Sequence, residues 1–300
     1  MVQILPHGAW PSPVSVASLA ESGIAVGELR CDGGRLYWLE SRPAEGGRMV
    51  LMTRGADGAV RQLTPEGFNL RTRVHEYGGA PYAMQGQDIW FANFRDQLVY
   101  RQRGETITPV TPAGYRYAEI TPVPGGGLIA VREDHSDPAD IKNAIVRLTG
   151  EAGDAGTVLW GASDFVAYPA LNADGTKLAW IAWDHPNMPW DVTTLYVADL
   201  GPNGLSGVTA IAGGKTDSVM EPRWAANGSL FYIDDKSGFW NLYMWRAGET
   251  FAVWPMAAEF AGPLWQLGQS NYAVMDGDRL AALYSDAAGD HLVVIAGGEA

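Results

Sequence analysis

Residues 168–183 read Tyr168-Pro169-Ala170-Leu171-Asn172-Ala173-Asp174-Gly175-Thr176-Lys177-Leu178-Ala179-Trp180-Ile181-Ala182-Trp183. In the second half of this stretch Leu178, Trp180 and Ala182 point one way, and Ala179, Ile181 and Trp183 the other. A strand that is apolar on both faces belongs to a sheet covered on both sides. The spacing predicts an inner strand over 168–171, an Asn-Ala-Asp-Gly hairpin turn and a second strand over 177–183. A polar loop over 184–192 leads to a third strand at 193–200. After the turn Gly201-Pro202-Asn203-Gly204, a fourth strand follows at 208–211.

The same plan recurs along the chain. Gly33, Gly86, Gly125, Gly175, Gly228 and Gly277 each precede a strand-like run, with Leu36, Ile89, Leu128, Leu178, Phe231 and Leu280 three residues on. Repeats of roughly 40–50 residues built from short strands predict an all-β fold, a β-propeller with one four-stranded blade per repeat. Asp32-Gly33, Asp174-Gly175, Asn227-Gly228 and Asp276-Gly277 are Asx-Gly hairpin turns, a pair expected to take φ > 0 at both residues. Third and fourth strands are joined around Ala56-Asp57-Gly58, Arg103-Gly104-Glu105 and Ala247-Gly248-Glu249, and in the third repeat by the longer loop 149–156. A short helical turn is expected near 13–22. The sixth repeat has three strands, at 272–275, 279–284 and 291–296, and runs out before a fourth. Residues 1–300 are therefore expected to be one propeller domain, cut from a parent of six or seven blades. The alternative is closure by an amino-terminal strand at 14–19.

The 300-residue chain is 47% hydrophobic, ample for a large core, and its twelve Trp and twelve Tyr suit packing between blades. Its net charge of −13, from 21 Lys+Arg against 34 Asp+Glu, repels phosphate backbones and anionic lipid. Nucleic acid and membrane are not expected partners. Cys31 is the single cysteine, which excludes an internal disulfide and a cysteine-based zinc site. No basic stretch followed by a long apolar run opens the chain, so a cytoplasmic location is expected.

In a propeller, the loops between second and third strands and those between blades emerge on one face. Here they carry the unusual polar residues, in Arg71-Thr72-Arg73-Val74-His75-Glu76-Tyr77-Gly78-Gly79, in 133–137, in Asp184-His185-Pro186-Asn187-Met188-Pro189-Trp190-Asp191 and in 234–238. Arg71, Arg73, His75, Glu76, Asp184, His185, Trp190 and Asp191 are the candidates for contact with a substrate or a partner domain. Two plainer readings stand beside this one. The arginines and Glu76 can form a salt-bridge network between blades, and Asp184 and Asp191 can cap the turns of a stiff packing loop. Asp134, Asp137 and Asp140 carry oxygen donors for a hard cation, against the plainer reading of a solvated acidic loop. Gly161-Ala162-Ser163 and Gly268-Gln269-Ser270 lack the second glycine of a nucleophile elbow. His75-Glu76 is not followed by the second histidine of a zinc helix. No catalytic residue, metal ligand or cofactor is assigned.

Gly8-Ala9-Trp10-Pro11-Ser12-Pro13, Arg71 to Gly79, Asp184 to Asp191, and Asp234-Asp235-Lys236-Ser237-Gly238-Phe239-Trp240-Asn241-Leu242-Tyr243 together resemble the amino-terminal propeller of the prolyl oligopeptidase family. Within it they are similar to the dipeptidyl-peptidase and acylaminoacyl-peptidase-like proteins. The last element also resembles the wider group of TolB-like propellers. The resemblance implies a carboxy-terminal α/β-hydrolase domain with a Ser-Asp-His triad as partner, and a propeller that gates peptide access to it. That domain is absent from this sequence, so the isolated chain is expected to be inactive. Two rivals are a self-contained TolB-like protein-binding module and a metal-dependent propeller lactonase or lyase.

Overall fold

Every residue of the strand Lys177–Trp183 after Lys177 is buried, as a run apolar on both faces requires. The structure, a computed structural model, describes residues 4–9, 14–15, 23–276 and 279–296. It divides into two units, Met1–Asn69 and Leu70–Ala300. The first holds one antiparallel sheet of β1 (Val26–Asp32), β2 (Arg35–Arg42), β3 (Arg48–Arg54) and β4 (Val60–Gln62), paired in sequence order. A single 3-10 turn, Pro43–Glu45, joins β2 to β3.

The second unit repeats this meander. Its first sheet is β5 (Tyr82–Gln85), β6 (Asp88–Ala92), β7 (Val99–Arg103) and β8 (Thr106–Pro109). The next is β9 (Tyr115–Pro122), β10 (Leu128–Asp134), β11 (Lys142–Leu148) and β12 (Thr157–Trp160). Then come β13 (Phe165–Leu171), β14 (Lys177–Trp183), β15 (Thr194–Gly201) and β16 (Gly204–Gly213). A fourth sheet is β17 (Val219–Trp224), β18 (Leu230–Asp234), β19 (Asn241–Arg246) and β20 (Glu249–Ala252). The last has three strands among the described residues, β21 (Tyr272–Val274), β22 (Leu280–Asp286) and β23 (Gly289–Ile295). Among the described residues the fold is all-β, a β-propeller of six blades.

Among the described residues, the expected turns and strands fall where the glycines place them. The inner strand expected at 168–171 begins earlier, at Phe165, and the fourth strand expected at 208–211 runs over Gly204–Gly213. The turn chemistry differs from expectation. Gly33, Gly175 and Gly228 take φ of +54°, +72° and +84°, but the Asx residues before them do not take positive φ. Instead the Asp174 carboxylate accepts from the Thr176 N–H at 3.0 Å, and the Asn227 amide oxygen accepts from the Ser229 N–H at 3.0 Å. The side chain replaces the left-handed residue by closing an Asx turn. Of the helical turn expected at 13–22 and the closing strand at 14–19, only Val14 and Ser15 are described. The rest, with Gly277 and residues 10–13 of the first quoted motif, lies outside the described residues.

The inner strands share a device. β9, β13 and β17 are each bulged, and Glu119, Tyr168 and Glu221 there have φ of +51°, +55° and +53°. The Glu119 carboxylate accepts from the Tyr168 N–H of the following sheet. In the same way the Glu221 carboxylate accepts from the Asn271 N–H at 2.9 Å, just before β21. A bulge re-aims a side chain, and here it aims carboxylates at the neighbouring blade. Between sheets the core is aromatic: Trp160, Trp180 and Tyr196 lie with ring centroids 5.0–5.5 Å apart.

Candidate functional site

Residues 71–80 leave the sheets and cross to other blades. Arg73 N–H donates to the Gln97 side chain at 2.8 Å, and His75 N–H to the Glu133 carboxylate at 2.7 Å. Val74 is fully buried in the main core. Gly79 then forms a parallel bridge with Leu267, whose N–H donates to the Gly78 carbonyl at 2.9 Å. The backbone is strained to do this. His75, Glu76 and Ala80 take φ of +53°, +64° and +44°, values that non-glycine residues adopt only when their surroundings over-determine them.

This segment, the loop after β14 and the approach to β21 enclose a cavity of about 180 Å³. Two aromatic groups line it. On one side the His75 ring meets Phe165 and Trp183 edge-on at 5.3 and 5.5 Å, while Phe165 and Trp183 stack at 5.3 Å. His185 tilts against Phe165 at 5.0 Å. On the other side Trp265 contacts Trp190 at 4.5 Å and Tyr77 at 5.9 Å. Burial pushes the His75 pKa down to about 4, which the neighbouring Asn143 offsets only in part, so its imidazole is neutral near pH 7. It serves as an aromatic wall and carries no charge.

The structure brings His75, His185 and Trp190 to this cavity. Asp184 and Asp191 hold its rim: Asp184 accepts from the Asp164 N–H at 2.7 Å, and Asp191 from the Met188 N–H at 2.9 Å. Asp164 in turn accepts from both the backbone N–H and the ring Nδ1 of His185, each at 2.9 Å, which holds its carboxyl below the usual range. Glu76 points away, to Arg116 at 2.7 Å, and Arg116 also reaches Glu133 at 3.7 Å. That guanidinium lowers the Glu76 pKa. Arg71 and Arg73 both lie over the Phe94 ring, 4.7 and 4.5 Å from its centroid, away from the cavity lining.

Sequence reasoning did not single out Phe165, Trp183 or Trp265. Phe165 and Trp183 are direct cross-strand partners at the loop end of β13 and β14, so a pairing register would have found them. Trp265 arrives through the Gly79–Leu267 bridge, a contact with no local signal. Asp134 and Asp137 accept from backbone N–H groups, and Asp140 pairs with Lys142 at 2.7 Å. Among the described residues, no group of three His, Cys, Asp or Glu side chains is placed to hold a metal ion. No helix of the described residues is long and apolar enough to cross a membrane.

No protein-family model and no curated protein matches the chain. Among solved structures, a puromycin-hydrolyzing peptidase from Mycobacterium tuberculosis is 35% identical over 97% of this chain, with a TM-score of 0.86. A puromycin hydrolase is 31% identical over 98% of the chain, with a TM-score of 0.87. This chain spans 48% of the length of each. Prolyl oligopeptidase B from Galerina marginata shares the fold, at 12% identity and a TM-score of 0.62 over 90% of the chain. In fold, the chain matches the β-propeller domain of prolyl oligopeptidase-family peptidases.

Proposed function

We propose that this chain is the substrate-gating propeller of a serine peptidase acting on oligopeptides, of dipeptidyl-aminopeptidase or acylaminoacyl-peptidase type. It works with an α/β-hydrolase domain that supplies the triad. The observation that carries this reading is identity above 30% to two puromycin-hydrolysing peptidases over nearly all of this chain and about half of theirs. The build of the loop face supports it. The strained segment 71–80 ties three blades together, so an opening bordered by it keeps its shape as substrates pass. Exposed Tyr77, Met188 and Trp265 on the same face are apolar groups that a peptide or a second domain covers.

Joining the chain to the hydrolase half of such a peptidase tests the reading. The fusion is expected to cleave short peptides and to reject folded proteins, whereas the propeller alone cleaves neither. Within the fusion, Arg73→Ala and Glu76→Gln are expected to raise KM for peptides several-fold. Unchanged kinetics would reduce both residues to the network around Arg116 and Phe94. Equal cleavage of peptides and folded proteins would remove the gating role.

A further inference from the structure

We infer that the cavity between His75, Trp183, Trp190 and Trp265 binds a flat aromatic group of the substrate, a one- or two-ring system. The inference deepens the peptidase reading and rests on it for the word substrate. Its physical basis is independent of catalysis.

Three observations carry it. The first is size: a dry apolar cavity of roughly 150 Å³ takes up a benzene ring, and this one holds about 180 Å³. The second is the walls. Aromatic rings present π-faces and edges, which attract another ring in offset-stacked or edge-to-face geometry beyond what area alone provides. Here seven rings line one cavity, those of His75, Tyr77, Phe165, Trp183, His185, Trp190 and Trp265. The third is charge. His75 is held neutral by burial and offers a carboxylate no charge, and the His185 Nδ1 is already engaged by Asp164. Trp265 remains 54% exposed and Tyr77 55% exposed. Two large rings left open at a cavity mouth are positioned to close on a ligand ring.

The chain itself is the test material, with N-acetyl-L-tryptophanamide and N-acetyl-L-leucinamide as probes in ligand-observed saturation-transfer NMR. The aromatic probe is expected to bind saturably in the millimolar range, and the aliphatic one about tenfold more weakly. Trp265→Ala is expected to weaken the aromatic probe at least fivefold while the chain still unfolds in one cooperative transition, because the side chain is half exposed. Trp190→Ala gives a second, independent readout of the same wall. Equal affinity for both probes, or unchanged binding in both variants, would overturn the inference. Saturable aromatic binding together with an inactive fusion would leave the cavity assigned and remove the peptidase reading. The reverse result would retain the peptidase and remove the ring site.

Discussion

Gly79 shows how one residue holds the candidate site together. Its φ is +106°, and a Cβ there would lie 2.0 Å from the Leu267 carbonyl oxygen and 2.8 Å from the Leu267 nitrogen and carbonyl carbon. The close approach is backbone against backbone, so nothing flexible can give way. Gly228, with φ of +84° in the turn between β17 and β18, has open space where its Cβ would be. The two glycines therefore separate crowding from conformational cost. Gly228→Ala is expected to lose about 1 kcal/mol, the penalty of a left-handed alanine. Gly79→Ala adds a clash that breaks the bridge, for a loss on the order of 2–4 kcal/mol. Urea unfolding of both variants reads the difference, and the affinity of each for the aromatic probe reports whether the cavity keeps its shape. Equal losses would mean that the bridge to Leu267 yields easily and does not shape the site.

At the scale of the element, the hairpin of β6 and β7 is pinned by charge. Asp88 opens β6, and on β7 both Arg101 and Arg103 reach its carboxylate with two hydrogen bonds each. Positions 101 and 103 lie on the same face, so a one-residue slip would undo both pairs. The two guanidiniums hold the Asp88 pKa down to about 2. A depressed carboxylate contributes stability that is present above its ordinary pKa and lost as pH falls toward the folded-state value. Asp88→Asn is expected to cost on the order of 1 kcal/mol near pH 7, discounted because Arg103 is largely exposed. The difference from the parent should shrink between about pH 4 and pH 2, as acid titration of the unfolding midpoint would show. A constant difference would place the effect in packing. Elements of this kind were legible in the sequence because strand and turn signals are local: Lys177–Trp183 follows from its apolar run and Asp174-Gly175 from turn chemistry. The bulges at Glu119, Tyr168 and Glu221 were not legible, because nothing in a glutamate or tyrosine announces positive φ. The cavity was half legible. His75, His185 and Trp190 stood out in loops, while Phe165, Trp183 and Trp265 looked like ordinary core aromatics.

At the scale of the whole molecule, a propeller is a chain of blades, and its cooperativity depends on what each blade gives the next. Within Leu70–Ala300 two of these junctions are carboxylates buried against backbone N–H groups, Glu119 to Tyr168 and Glu221 to Asn271. Arg223, 3.5 Å from Glu221, supplies the nearest positive charge. Burial nevertheless outweighs these partners and raises the Glu221 pKa above its ordinary 4.5. The folded state then holds this proton to higher pH than the unfolded chain does. The junction's contribution is complete below the ordinary value and diminishes as pH rises through the folded-state value. Glu221→Gln copies the neutral form at every pH and keeps an acceptor for the Asn271 N–H. The stability of the parent relative to Glu221→Gln is therefore expected to fall as pH is raised from about 4 toward neutrality. Glu221→Ala removes the acceptor altogether, leaves the Asn271 N–H without its partner and costs about 1–3 kcal/mol throughout. Urea unfolding of the three proteins at several pH values measures both effects. If parent and Glu221→Gln keep a constant difference across the range, the carboxylate stays ionised on folding and the junction is an ion pair with Arg223. If the parent falls below Glu221→Gln as pH rises, blade five is joined to blade six by a neutral hydrogen-bonded clasp at low pH and by a costly buried charge above it.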